Sequence, residues 1–214
     1  MARVWLIRHG ESESNAGLPG GEPGASALTE LGRRQAIEIA ESLAEPPRLI
    51  VTSPFLRARQ TAAPTIERFP GAEREEWPVQ EFTFLGELHG QVTTTTATRK
   101  PYTEAYWSRA DPHHAVNGAE SFAALFIRTQ EFLARLGERE PGPIAVFTHG
   151  LFIRAVMWSL LTGTTTPDSA AMRRFRTFAD TYLVPNGNIT ELRYTPGKRI
   201  PRMVVPLASR FADR

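Results

Sequence analysis

The chain has 214 residues, 41% apolar and 22% charged, an ordinary globular composition that excludes a disordered chain. It has no cysteine, which excludes disulfides, thiolate catalysis and cysteine-bound zinc. The formal charge is only +2, yet every basic residue except Lys100 and Lys198 is arginine; this suits anionic ligands, while the lack of a dense basic stripe with interleaved aromatics argues against nucleic acid. The length fits one domain with an inserted lobe. The first apolar run is too short for a signal-peptide core, and the longest apolar stretch, residues 151–161, is broken by Arg154 and too short to cross a bilayer. The expectation is therefore a cytoplasmic protein without membrane contact, with a homo-oligomer left open.

In chain order, Val4, Trp5, Leu6 and Ile7 predict a short buried strand that delivers Arg8 and His9 to its C-terminal end. Ligands bind at that edge of an open α/β sheet. Gly10 allows a sharp turn and close approach to a bound group. An imidazole with its ordinary pKa of about 6.5 is largely neutral at pH 7 and can attack an electrophile, while the planar fork of Arg8 suits phosphate oxygens. The pair points to phosphoryl transfer onto His9. Residues 16–27, rich in glycine and proline, read as a mobile loop beside it.

Thr29 reads as the N-cap of a helix whose apolar face is Leu31, Ala36, Ile39, Ala40 and Leu43 and which ends before Pro46. Leu49, Ile50 and Val51 form a second strand, followed by Ser53 as N-cap, Pro54 at the first helical position and a helix to about Glu67, kinked at Pro64. Arg57 and Arg59 would lie near the same sheet edge. From residue 73 to 117 the periodicity is lost, and the reading is an inserted lid or substrate lobe at about 82–118, after a third strand ending near Glu81. Phe122, Leu125, Phe126, Phe132, Leu133 and Leu136 restore helical spacing up to Gly137. Residues 143–148 predict a buried strand followed by His149-Gly150 and an apolar helix to about Leu161, repeating the opening pattern. Residues 178–184, 189–194 and 203–207 read as edge strands, with Asn186-Gly187 a turn.

Four motifs carry a resemblance: Leu6-Ile7-Arg8-His9-Gly10-Glu11-Ser12 with Asn15; Leu28-Thr29 with Gly32, Gln35 and Ala36; Ser53-Pro54 with Leu56, Arg57, Ala58, Gln60, Thr61 and Ala62; and Thr148-His149-Gly150. In this order, spanning most of the chain, they resemble the histidine phosphatase superfamily, the phosphoglycerate-mutase-like fold. The resemblance implies a three-layer α/β/α domain, with a mostly parallel central sheet, helices on both faces and the lobe over the C-terminal sheet edge. It implies that His9 is transiently phosphorylated, that Arg8, Arg57 and His149 surround the phosphoryl oxygens, and that the Asn15 amide and Gly150 backbone are lesser donors. It also makes the Gly10 carbonyl the acceptor for the second ring nitrogen of His9. Two guanidiniums and an imidazole can stabilise phosphoryl transfer without a metal or cofactor.

The leaving alkoxide needs a general acid, which the resemblance places beyond the second helix. Glu81 is the choice, because Phe82, Phe84 and Leu85 would shield it from water; Glu87 and Glu120 are the rivals. His89, His113 and His114 lack metal-ligand spacing and are expected to be solvated. Arg99, Lys100, Tyr102, Tyr106, Trp107 and Arg109 could contact the non-phosphate part of a substrate. The expected activity is hydrolysis of a small phosphorylated metabolite. A phosphoglycerate-mutase-like phosphotransferase and a non-catalytic phospholigand- or partner-binding domain are the alternatives.

Overall fold

Strict alternation along the first strand sends Val4 and Leu6 to one face of the sheet and Trp5 and Ile7 to the other, and all four are buried. A strand buried on both faces belongs in the middle of a sheet covered by helices on either side. The computed structural model, which describes residues 2–20, 22–88, 94–194 and 201–204, has that architecture. Its elements are β1 (Ala2–Arg8), α1 (Glu30–Ser42), β2 (Leu49–Thr52), α2 (Leu56–Arg68), β3 (Glu73–Glu76), α3 (Thr96–Arg109), α4 (Phe122–Gly137), β4 (Ile144–Thr148), α5 (Gly150–Thr162), α6 (Ser169–Thr181), β5 (Ile189–Tyr194) and β6 (Arg202–Val204).

The strand order is β3-β2-β4-β1-β5-β6. The first four run parallel, β5 is antiparallel to β1, and β6 is antiparallel to β5. On one face, Trp5, Ile7, Ile50 and Phe147 meet Ile39 of α1, Leu43 just after it and Ala62 of α2. On the other, Val4, Leu6, Val51 and Val146 join a larger core of Phe122, Phe126 and Phe132 from α4, Phe152 from α5 and Phe175 from α6. Among the described residues no helix is long and apolar enough to cross a membrane.

Register decides where the chemistry gathers. Arg8 is paired with Thr148, and Thr52 with Phe147, so β1, β2 and β4 end at one level and release His9, Ser53 and His149 side by side. β5 starts beside Ile7, which brings the Asn186-Gly187 turn to the same edge, with Gly187 at φ 75. Thr29 caps α1 by accepting from Gly32 N (3.1 Å) and donates to the Glu11 carboxylate (2.8 Å), locking the chain after His9 onto the helix start.

Several expectations are corrected. Ser53 is not an N-cap: α2 begins at Leu56, and the Ser53 hydroxyl turns to His149. The third strand is Glu73–Glu76, not a strand ending at Glu81; its four charged residues hide any alternation, which an edge strand tolerates because its outer side faces water. Residues 77–85 cross the core without regular structure. Residues 178–181 complete α6, where Met172, Phe175 and Ala179 follow helical spacing, rather than opening a strand. Leu31 lies outside the apolar face of α1, 43% exposed. The loop at 16–27 is tied down: Gly20 exchanges two backbone bonds with Thr94, and Gly24 O accepts from Leu56 N. Residues 205–207 and His89 lie outside the described residues.

The turn after β1 packs tightly on the start of α1 through two glycines. A Cβ on Gly10 would stand 2.4 Å from the Gly32 carbonyl oxygen, and one on Gly32 would stand 2.0 Å from that of Glu11. Gly32→Ala should therefore lower stability by about 3 kcal/mol, as overpacking against backbone does. Gly71→Ala, where a Cβ meets nothing within 4 Å, should change it by less than about 0.5 kcal/mol. Urea titrations giving equal midpoints for the two variants would contradict this.

Candidate active site at the C-terminal sheet edge

The backbone around His9 is held from three sides. His9 N continues the ladder to Thr148 O (3.0 Å), its carbonyl accepts from Gly187 N and the Asn186 amide, and Gly10 N donates to Thr61 Oγ1 (3.0 Å). Thr61 in turn donates to the Arg57 carbonyl (2.6 Å), coupling α2 to the strand end. The ring is 2% exposed and its Nδ1 lies 2.7 Å from the Gly10 carbonyl. A carbonyl only accepts, so Nδ1 carries the proton and Nε2 keeps its lone pair. That Nε2 receives the Nε–H of Arg57 at 3.0 Å.

His149, fully buried, follows β4 and serves as the N-cap residue of α5. Its Nε2 pairs with Ser53 Oγ at 2.8 Å, its ring centre is 5.0 Å from that of His9, and Phe55 stands edge-on at 5.2 Å. Burial, and after it the positive charge of Arg57, holds both imidazoles well below the ordinary histidine value, so both rings are neutral at pH 7. Burial likewise pushes Arg57 down to about 10, still charged at neutral pH. Arg57 also donates to Pro23 O (2.7 Å), and Arg8 donates to Val184 O. His149 Nδ1 and Arg8 Nε are buried without a protein partner among the described residues. Two orphaned donors or acceptors beside a cationic cluster mark a place built for a polar ligand.

Glu81 joins this group. Its carboxylate accepts from Leu151 N at the start of α5 and from Phe82 N, both at 3.1 Å, within electrostatic reach of Arg8, Arg57 and Arg154. Glu120 instead forms a two-pronged ion pair with Arg128 at 2.8 and 2.9 Å, and the side chain of Glu87 lies outside the described residues. Asn15 is exposed; Ser12 N and the Asn186 amide both donate to its Oδ1, which fixes the amide orientation and turns Nδ2 away from them. Gly150 opens α5, and a Cβ there would meet Arg8 Nε at 3.4 Å and Arg154 at 3.5 Å.

The structure separates Arg59 from this group: it is exposed and faces Glu76 at 3.9 Å. Sequence reasoning missed Ser53 as a histidine partner, Phe55 beside both His149 and Arg57, and Arg154. Arg154 was legible as the one charge in an apolar helix, one turn after Gly150. Among the described residues no three His, Asp or Glu side chains gather in a way that could hold a metal.

A cavity of about 210 Å³ leads outward from Arg57 and Glu81. Phe55, Phe82, Phe84, Leu85 and Leu88 supply apolar lining, and Ser14, Thr94 and Arg99 supply polar lining. Of the other residues read as substrate contacts, Tyr106 and Trp107 are buried core, and Lys100, Tyr102 and Arg109 are exposed away from the lining. His113 is exposed, whereas His114 is half-buried against Tyr106.

The two buried neutral rings make stability depend on pH. Unfolded histidines take up a proton near pH 6.5 and the folded rings do not, so the unfolded state binds more protons as pH falls and folding weakens. Unfolding free energy should drop by about 2 kcal/mol for the pair between pH 6.5 and 5.5. A flat profile in urea unfolding over that window would contradict the assignment.

Comparison with known proteins gives the family. Residues 4–204 match the family described as histidine phosphatase superfamily (branch 1). The chain is 31% identical over 169 residues to a glucosyl-3-phosphoglycerate phosphatase of Mycobacterium tuberculosis, covering 74% of this chain and 75% of the relative. It is also 31% identical over 161 residues to a metal-independent phosphoserine phosphatase of Arabidopsis thaliana, covering 73% and 67%. Among solved structures, a mycobacterial glucosyl-3-phosphoglycerate phosphatase in complex with VO3 superposes with a TM-score of 0.70 at 27% identity, over 95% of this chain and 97% of that one. With nearly its full length matched, and with its histidine and arginine motifs meeting at one sheet edge, the chain belongs to branch 1 of the histidine phosphatase superfamily.

Proposed function

We propose that this phosphatase hydrolyses small phosphomonoesters in two steps through a phosphohistidine on His9. The observation that carries the reading is the fixed tautomer: Nδ1–H is spent on the Gly10 carbonyl, and the unprotonated Nε2 holds only the Nε–H of Arg57, a donor that a phosphoryl oxygen can take over. In the first step Nε2 attacks phosphorus, the ester P–O bond breaks, and the leaving oxygen takes a proton from Glu81. In the second, water attacks the phosphohistidine, returns a proton to Glu81, releases phosphate and restores His9. Arg8, Arg57 and His149 offset the charge on the equatorial oxygens, supported by the Asn15 amide and the Gly150 backbone. The attacking ring needs no deprotonation at neutral pH, since burial already holds it neutral.

The cavity wall formed by residues of the 82–118 lobe holds the alcohol part of the ester. Its apolar side receives hydrocarbon, and Arg99, which donates to Ser14 Oγ and Thr94 Oγ1 at 3.1 and 3.2 Å, offers its charge to a second anionic group. Phosphoserine and a phosphoglycerate ester, the compounds named for the two relatives, each carry a carboxylate besides the phosphate.

Base-stable, acid-labile radiolabel should be trapped on the wild-type chain when its reaction with labelled phosphomonoester is quenched in alkaline detergent, and be absent from His9→Ala, which should lose at least about 10³-fold in turnover. Label on His9→Ala, or isomerised product in place of free phosphate, would overturn the reading. Arg99→Ala should raise KM about tenfold for phosphomonoesters with a carboxylate and leave phenyl phosphate unchanged; equal effects on both would remove Arg99 from substrate recognition.

A further inference from the structure

Glu81 stands on a stretch with no helix or sheet to fix it, since residues 77–85 run through the core as irregular chain. A proton donor must be held within a few tenths of an ångström of its target, and buried carbonyls in such a stretch need partners. Three successive carbonyls before Glu81 are gripped from two sides. Arg128 Nη1, from α4, donates to both Pro78 O (2.9 Å) and Gln80 O (3.0 Å), while Thr148 Oγ1, from β4, donates to the Val79 carbonyl between them.

The rest of the Arg128 fork is occupied as well. Nε and Nη2 bind the two oxygens of Glu120 at 2.9 and 2.8 Å, and the guanidinium lies over the Phe152 ring at 5.0 Å. Glu120 N donates to Thr83 O at 3.0 Å, so the same pair also grips the chain just past Glu81. Arg128 is only 7% exposed. A buried ion pair of this kind is weak evidence for stability, because desolvation offsets most of the attraction. Its geometry, all of it directed at the two flanks of one carboxylate, has another use.

We propose that Arg128, braced by Glu120, is a positioning residue that sets the Glu81 carboxyl against the leaving oxygen of the ester. The proposal rests on Glu81 being the proton donor. A planar fork with several fixed donors can hold two carbonyls and a carboxylate at once, which a lysine ammonium cannot.

Leaving-group dependence separates positioning of an acid from general damage. Phenyl phosphate expels a phenolate whose conjugate acid resembles tyrosine, with a pKa of about 10, and needs the proton. p-Nitrophenyl phosphate is nearly the same size and expels an anion that does not. In kcat/KM, which reports the steps through P–O cleavage, Arg128→Lys should lose about tenfold or more on phenyl phosphate and under about threefold on p-nitrophenyl phosphate. Arg128→Met alone would strand the Glu120 carboxylate, so the double variant Arg128→Met/Glu120→Met is the companion arm and should show the same selective loss in a chain with wild-type circular dichroism. Equal losses on both substrates, or none, in both variants would overturn the proposal. Glu81→Gln is run beside them: selective loss there but not in the Arg128 variants refutes only the positioning role. Absence of selective loss in Glu81→Gln removes the acid assignment, and the Arg128 proposal with it.

Discussion

One hydrogen bond sets the character of the site: the Nδ1–H of His9 bound to the carbonyl of the next residue, Gly10. Because the acceptor is the backbone itself, the ring cannot exchange tautomers without losing that hydrogen bond, and Nε2 is left carrying the lone pair that the proposed reaction uses. Burial reinforces the choice by disfavouring the imidazolium, and the adjacent arginines disfavour it further. Most features nearby serve to hold this short contact. The chain must turn tightly after β1, so it passes where a Cβ on Gly10 would strike the Gly32 carbonyl, and Glu11, Thr29 and Gln35 fasten the turn to α1.

The cationic surplus around His9 follows from the same economy. Arg8, Arg57 and Arg154 approach from β1, α2 and α5, with Glu81 the carboxylate within reach of all three. Like charges brought this close repel, and the fold tolerates them by tying each guanidinium to a backbone carbonyl: Val184 for Arg8, Pro23 for Arg57 and Tyr182 for Arg154. In the proposed reaction a phosphate dianion supplies the charge that the cluster lacks, in a setting of low effective dielectric where the attraction is strong. The positions of the donors are set before the ligand arrives, which is the condition for electrostatic stabilisation of a transition state.

Arg128 shows the complementary arrangement. Its charge is fully matched, by Glu120 and by two carbonyls, and its stacking on Phe152 leaves it no freedom. Two kinds of arginine thus stand out: those near His9, with unspent hydrogen-bonding capacity such as Arg8 Nε, and Arg128, whose three nitrogens are all committed to Glu120 and to the irregular chain before Glu81.

The amino-acid order by itself determined the elements with strong periodicity and the residues that follow them. Strands β1 and β4 are continuous apolar runs, α4 repeats its aromatic face, and Arg8, His9, Arg57 and His149 were legible because each stands in a short motif directly after a strand or at a helix start. Glu81 was legible only through its apolar neighbours and the family resemblance. Sequence could not reveal β3, since an edge strand of charged residues has no buried face to write a pattern, nor could it separate Ser53 the helix cap from Ser53 the histidine partner, since both uses favour the same hydroxyl. Strand order, the level at which three strands stop, and the seating of Arg128 on the carbonyls of Pro78 and Gln80 depend on contacts between distant segments. Those contacts were decided by tertiary packing, because a residue's neighbours in space, unlike its neighbours in the chain, exist only after the sheet has closed on its helices.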